Sequence, residues 1–98
     1  MTEHGRTPKL NKTPGGGREH WSGAWSELLA GGGIKPGCLY GSTDKIAGFP
    51  KDNPLSPKDV LATMYHLLGV DPATHLIDRE GRPVALVPDG RVVPAILA

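Results

Sequence analysis

Ser56 to Gly69 keeps a helical period, and elsewhere Gly or Pro interrupts every apolar stretch within about seven residues. That punctuation limits the fold to one helix, a few short strands and much loop. Fourteen Gly and ten Pro make up about a quarter of the 98 residues, while apolar residues reach 38% and aromatics 5%. A chain this short buries a small share of its surface, so the expected core is thin. The reading is one α/β unit that leans on additional surface.

The helix is expected from about Pro57 to Leu68. Ser56 is a good N-cap, Pro57 suits the first helical position, and Asp59 stands where a capping box needs its acid. Gly69 provides the stop. Val60, Leu61, Met64, Leu67 and Leu68 recur at spacings of three and four, predicting one apolar stripe buried against another element. At about 25 cal/mol per Å², that burial is worth several kcal/mol where a partner surface exists.

On either side the segments are short. Residues 1–23 are polar and aperiodic, the composition of ligand loops; residues 24–55 carry short strands and loops; residues 56–69 are the helix; residues 70–98 hold a turn and a hairpin. Together, residues 1–98 read as a single partial domain. Ala24 to Ala30 admits a short helix or a strand before Gly31-Gly32-Gly33, and strand is the preferred reading. Cys38 to Gly41 is a second short apolar piece, and Phe49 to Pro54 a loop. His75 to Asp78 reads as extended and Asp78 to Gly81 as a turn. Val84 to Val87 and Arg91 to Val93 flank Pro88-Asp89-Gly90 and predict a hairpin across a three-residue loop.

Eleven basic and ten acidic residues leave a net charge of +1, and the basic ones are scattered. This excludes an electrostatic footprint for nucleic acid or a membrane surface. No apolar run approaches the roughly twenty residues of a membrane span, and no basic-then-hydrophobic leader opens the chain, so it reads as soluble with its compartment undetermined. The single Cys38 excludes an internal disulfide and a multi-cysteine zinc site, and reads as a small buried residue. Met1 stands directly ahead of the first motif, which suggests truncation or an internal start.

Chemistry concentrates near the amino terminus. Glu3-His4 and Glu19-His20 are two acid–histidine pairs joined by a loop containing Gly15-Gly16-Gly17, and arginines Arg6 and Arg18 lie beside them. Imidazole and carboxylate are ligands for a divalent ion, and the pairs converge if the loop folds back. Neighbouring side chains on a strand point to opposite faces, so Glu3 and His4 share a site only where the strand has ended, as Gly5 suggests. Arg6 and Arg18 suit the oxygens of an anionic ester. The same residues are ordinary on a solvated surface, and spacing alone does not separate the two readings. His66 on the helix and His75 after a turn read as structural, and Asp44, Asp71 and Asp78 as turn residues bonding their own backbone.

Thr2-Glu3-His4-Gly5-Arg6-Thr7-Pro8, Gly17-Arg18-Glu19-His20-Trp21, Leu28 to Ile34, Tyr40 to Asp44 and Asp78 to Pro83 together resemble the carboxy-terminal portion of an uncharacterised sulfatase-like family of the alkaline-phosphatase superfamily. The helix with Asp59, Thr63, Leu67, Leu68 and Gly69 is similar to the one following the active-site histidine segment in sulfatases.

The resemblance implies a three-layer α/β sandwich of alkaline-phosphatase type and a one- or two-metal site for hydrolysis of phosphate or sulfate esters, with zinc or calcium as the metal. By that likeness Glu3, His4 and His20 are metal ligands, Glu19 stands behind them or substitutes for one, and Arg6 and Arg18 contact the anion. Family relatives usually carry an aromatic residue where this chain has His4, so that role rests on the wider superfamily. Nothing ahead of Thr2 supplies a nucleophile or Asp ligands, and Cys38 lacks the modified-cysteine motif. The expectation is a fragment inactive alone, whose partner is the missing amino-terminal part of the same fold and whose ligand, once completed, is a small anionic ester. The alternative is a small non-catalytic interaction module, or a relic, without metal.

Overall fold

A computed structural model of the chain describes residues 3–98; Met1 and Thr2, where the first motif begins, lie outside the described residues. The elements in order are β1 (Gly5–Arg6), β2 (His20–Trp21), β3 (Ser42–Thr43), β4 (Pro50–Asp52), α1 (Pro57–Leu67), β5 (His75–Ile77), β6 (Pro83–Ala85) and a 3-10 turn, Pro94–Ile96. The strands form three two-stranded antiparallel sheets, β1–β2, β3–β4 and β5–β6. The protein is thus mixed α/β, with one helix and small antiparallel sheets among the described residues. They fall into two compact units, residues 3–29 with Leu39–Pro54 and Ala30–Cys38 with Leu55–Ala98.

In the first unit β1 pairs with β2 in the register Gly5 to Trp21 and Arg6 to His20. The connecting loop closes because Gly15, Gly16 and Gly17 all take positive φ, which side-chain-bearing residues resist. Small residues let backbone approach backbone beneath Trp21. A Cβ on Gly5 would strike the Ala24 carbonyl oxygen, and one on Gly23 would meet the Trp21 indole nitrogen at 2.5 Å and the Gly48 oxygen at 2.7 Å. The Trp21 indole N–H donates to that Gly48 carbonyl at 2.7 Å, and Phe49 meets the indole edge-on. In the adjoining turn Asp44 Oδ1 accepts from the amides of Ile46 and Gly48.

Ala24 to Ala30 joins no ladder, contrary to the strand reading, although burial alternates along its length. Within it Trp25 Nε1 donates to Glu27 Oε1 at 2.9 Å, and Leu28 is 90% exposed. Cys38 to Gly41 is likewise irregular. Cys38 is exposed rather than buried, because the Pro36-Gly37 turn carries it onto the surface, where its Sγ lies 3.8 Å from the Ala95 carbonyl.

The second unit is organised by α1. Ser56 caps it, its hydroxyl accepting from the Asp59 amide while the Asp59 carboxylate accepts from the Ser56 amide, a complete capping box. Gly69, at φ +80°, ends it, as the sequence predicts. The buried face differs from the expected stripe. Asp59, Val60, Ala62 and Thr63 are buried, whereas Leu61, Met64 and Leu68 are exposed.

The cause is the segment after Gly90, which lies along the helix. The Arg91 amide donates to Asp59 Oδ1 at 3.0 Å, and the Val93 amide to Thr63 Oγ1 at 3.0 Å. Those bonds also displace the expected hairpin. Val84 and Ala85 pair backwards with Leu76 and His75, and the Leu86 and Val87 amides bond Thr74 and Pro72. The turn of the observed hairpin is built on Asp78, whose Oδ1 accepts from the Glu80 and Arg82 amides. Val87, Val93 and Ile96 complete the core with Val60, Ala62 and Thr63.

Candidate functional site

The hairpin of the first unit brings part of the predicted constellation together. The Thr7 amide donates to the Glu19 carbonyl at 3.0 Å, the Glu19 amide to the Thr7 hydroxyl at 3.1 Å, and the Asn11 amide to the Gly17 carbonyl at 2.9 Å. Zipped in this way, the arms bring His4 and His20 into a stack, ring centroids 5.2 Å apart and planes 16° from parallel. Both residues are exposed. Glu3 and His4 lie just ahead of β1, where the strand constraint has ended.

The pleat sorts the remaining residues. Arg6 stands opposite His20 and shares its face, with His4 as the diagonal neighbour on that side. Thr7, Glu19 and Trp21 instead line a groove. Glu19 is therefore directed away from His20, its neighbour in sequence, by strand alternation. Arg18 is committed to the loop itself, its Nη1 donating to the carbonyls of Thr7 at 2.7 Å and Pro8 at 2.8 Å. That nitrogen is not available to an anion. Among the described residues no three His, Cys, Asp or Glu side chains gather closely enough to hold a metal ion.

Two features lay outside the sequence reading. One is the groove, about 380 Å³, where Pro8, Leu10, Ile46 and Phe49 join Trp21. Its signal was the isolated Leu10 and Ile46 in otherwise polar loops. The other is the link from buried Asp59 and Thr63 to the Arg91 and Val93 amides; the sequence reading gives Asp59 its capping role alone. The Ser56 amide, together with the Arg91 amide, the Ser56 hydroxyl and the Arg91 charge, holds the Asp59 carboxyl below its ordinary range against the opposing effect of burial. Asp78 is lowered likewise, first by the Arg82 amide and then by the Arg82 guanidinium at 2.9 Å and the Glu80 amide. Both carboxylates serve the fold. Asp71 accepts from the Ala73 amide at 2.9 Å, as a turn residue should, and His66 and His75 are exposed.

These observations define a small mixed α/β chain whose cluster of imidazoles sits on a glycine-closed hairpin. Over residues 1–97 it matches the family described as a protein of unknown function, DUF1501, and the chain belongs to that family. No curated protein and no solved structure matches it.

Proposed function

We propose that this chain is part of a sulfatase-like, metal-dependent hydrolase of phosphate or sulfate esters. In this reading its hairpin supplies ligands to a site built on an alkaline-phosphatase-like three-layer sandwich. The observation that supports the reading is the meeting of His4 and His20 from opposite arms of the β1–β2 hairpin. Imidazole favours zinc, and a carboxylate such as Glu3 suits zinc or calcium. Arg6, on the same face as His20, would in this reading hold an ester oxygen. The donor set fits a metal in part. It supplies ligands from one edge, and the remainder, with the nucleophile, would come from outside the hairpin. The chain alone is accordingly proposed to be inactive.

A test is thermal unfolding of the full chain with zinc, with calcium and with neither. Zinc at about one hundred times its dissociation constant should add roughly 2.7 kcal/mol of stability, and sulfate or phosphate should add more once metal is present. A p-nitrophenyl phosphate assay should show no turnover. If neither ion shifts the transition, the metal reading fails.

A second reading is a non-catalytic interaction module, favoured by the groove at Trp21 and Phe49 and by the exposed Leu61, Met64 and Leu68 on one face of α1. It predicts cooperative unfolding indifferent to both ions.

A further inference from the structure

The β5–β6 hairpin of the second unit has one open edge. The Leu86 amide donates to the Thr74 carbonyl and the Asp78 amide to the Arg82 carbonyl, with Leu76 opposite Val84 between them. Bonded and non-bonded positions alternate along an antiparallel pair, so His75 and Ile77 turn their N–H and C=O groups outward, away from β6. The corresponding outward positions of β6 are Ala85 and Pro83, and Pro83 has no N–H to give. Proline blunts that edge. The edge of β5, His75-Leu76-Ile77, has neither proline nor lysine to guard it.

Both faces of the ribbon beside this edge are apolar and uncovered. Leu76 is 59% exposed and Ile77 69%, and Val84, across from Leu76, is 43% exposed. A two-stranded ribbon is marginal in water and gains from further pairing. β5 carries no Asp, Glu, Lys or Arg, so two copies of it meet without opposed charges. Antiparallel pairing about a two-fold axis at Leu76 sets His75 of each copy against Ile77 of the other, each pair exchanging both its bonds, and brings the two Leu76 side chains together. Because Pro83 blunts the far edge of β6, pairing closes at two copies instead of running on into a filament.

We infer that β5 is a self-association edge: its open side pairs antiparallel with β5 of a second copy of this chain, giving a sheet in the order β6–β5–β5–β6. A stable dimer buries about 800 Å² on each partner, and a three-residue edge supplies less. The dimer is therefore a weak one, with a Kd of about 0.1 to 1 mM. The inference does not rest on a metal at the β1–β2 hairpin.

The experiment is sedimentation velocity of the full chain from about 10 μM to 1 mM, a range that brackets such a Kd, with Ile77→Pro and Leu76→Lys alongside. Ile77→Pro removes an outward N–H and leaves the bonds to β6 in place. Leu76→Lys sets two ammonium groups against each other at the axis, at a side chain that already faces water. Protection of the Asp78 and Leu86 amides in NMR confirms that each variant keeps the hairpin. The unsubstituted chain should pass from monomer to dimer and no further, and each variant should weaken association roughly tenfold or more. In a mixture of isotope-labelled and unlabelled copies, NOEs should join Leu76 to Leu76 and His75 to Ile77. A chain that stays monomeric at the highest concentration overturns the inference, as does assembly beyond two copies. A dimer left intact by either variant with its hairpin formed also overturns it, and would move the contact to another surface, such as the exposed Leu61 and Met64 of α1.

Discussion

Asp59 does two things at once, capping α1 and holding the segment after Gly90. One carboxylate oxygen accepts the Ser56 amide at 2.9 Å and the other the Arg91 amide at 3.0 Å, while the side chain is only 6% exposed. Asp59→Ala should destabilise the chain by about 2 to 3 kcal/mol, from a lost cap of about 1 kcal/mol and buried amides left without acceptors. Asp59→Asn should cost less, because one acceptor oxygen remains. Denaturant unfolding near neutral pH followed by circular dichroism checks both, and equal losses would contradict the argument. Thr63 is the second peg, its hydroxyl donating to the Asp59 carbonyl at 2.8 Å and accepting the Val93 amide. Thr63→Val keeps the shape and orphans that amide, for an expected loss of about 1 to 3 kcal/mol, with Thr63→Ser recovering part of it.

At the scale of elements, the helix tests which face is inside. A buried stripe of Leu61, Met64 and Leu68 would make Leu68→Ala cost about 2 to 5 kcal/mol. With Leu68 76% exposed, Leu68→Ser should change stability by no more than about 0.5 kcal/mol in the full chain, measured by the same denaturant transition. The hairpin has the opposite sensitivity: Gly5→Ala should dissolve β1–β2 and unstack His4 from His20, because its Cβ meets the fixed backbone of Ala24. NMR of the Thr7 amide and the His20 ring reports it. These contrasts also mark what the sequence makes legible. The ends of α1 were readable since Ser56, Pro57, Asp59 and Gly69 act locally, and so were the turns on Asp44, Asp71 and Asp78. The face of α1 was not, because it is chosen by Arg91 and Val93, some thirty residues on, through Asp59 and Thr63 rather than through apolar contact. Similarly, the convergence of His4 with His20 was readable from Gly15, Gly16 and Gly17, but the separation of Glu19 from His20 follows from the extended backbone there, an alternation the sequence reading applied only to Glu3 and His4.

For the molecule as a whole, acid provides a probe that the two compact units should answer differently. The two carboxylates held below their ordinary range, Asp59 and Asp78, both belong to the unit that contains α1. A carboxyl whose folded value is depressed contributes stability that is fully present above its unfolded value, near 3.8, and is lost as pH falls through the lower folded value. Asp59 is buried and carries the larger share, while Asp78 lies at an exposed turn where water screens its Arg82 partner. Both tryptophans, Trp21 and Trp25, lie in the other unit, where Asp44 accepts from its own turn. Lowering the pH from 5 to 2 should therefore weaken the helical circular dichroism signal before the tryptophan emission changes, with the helical loss beginning near pH 4. In Asp59→Asn the helix starts weaker at neutral pH but should lose less further stability across the same range, since the titrating group is gone. Coincident loss of both signals, or an acid response that Asp59→Asn leaves undiminished, would show that the acid sensitivity lies outside the contacts of Asp59 with Ser56 and Arg91.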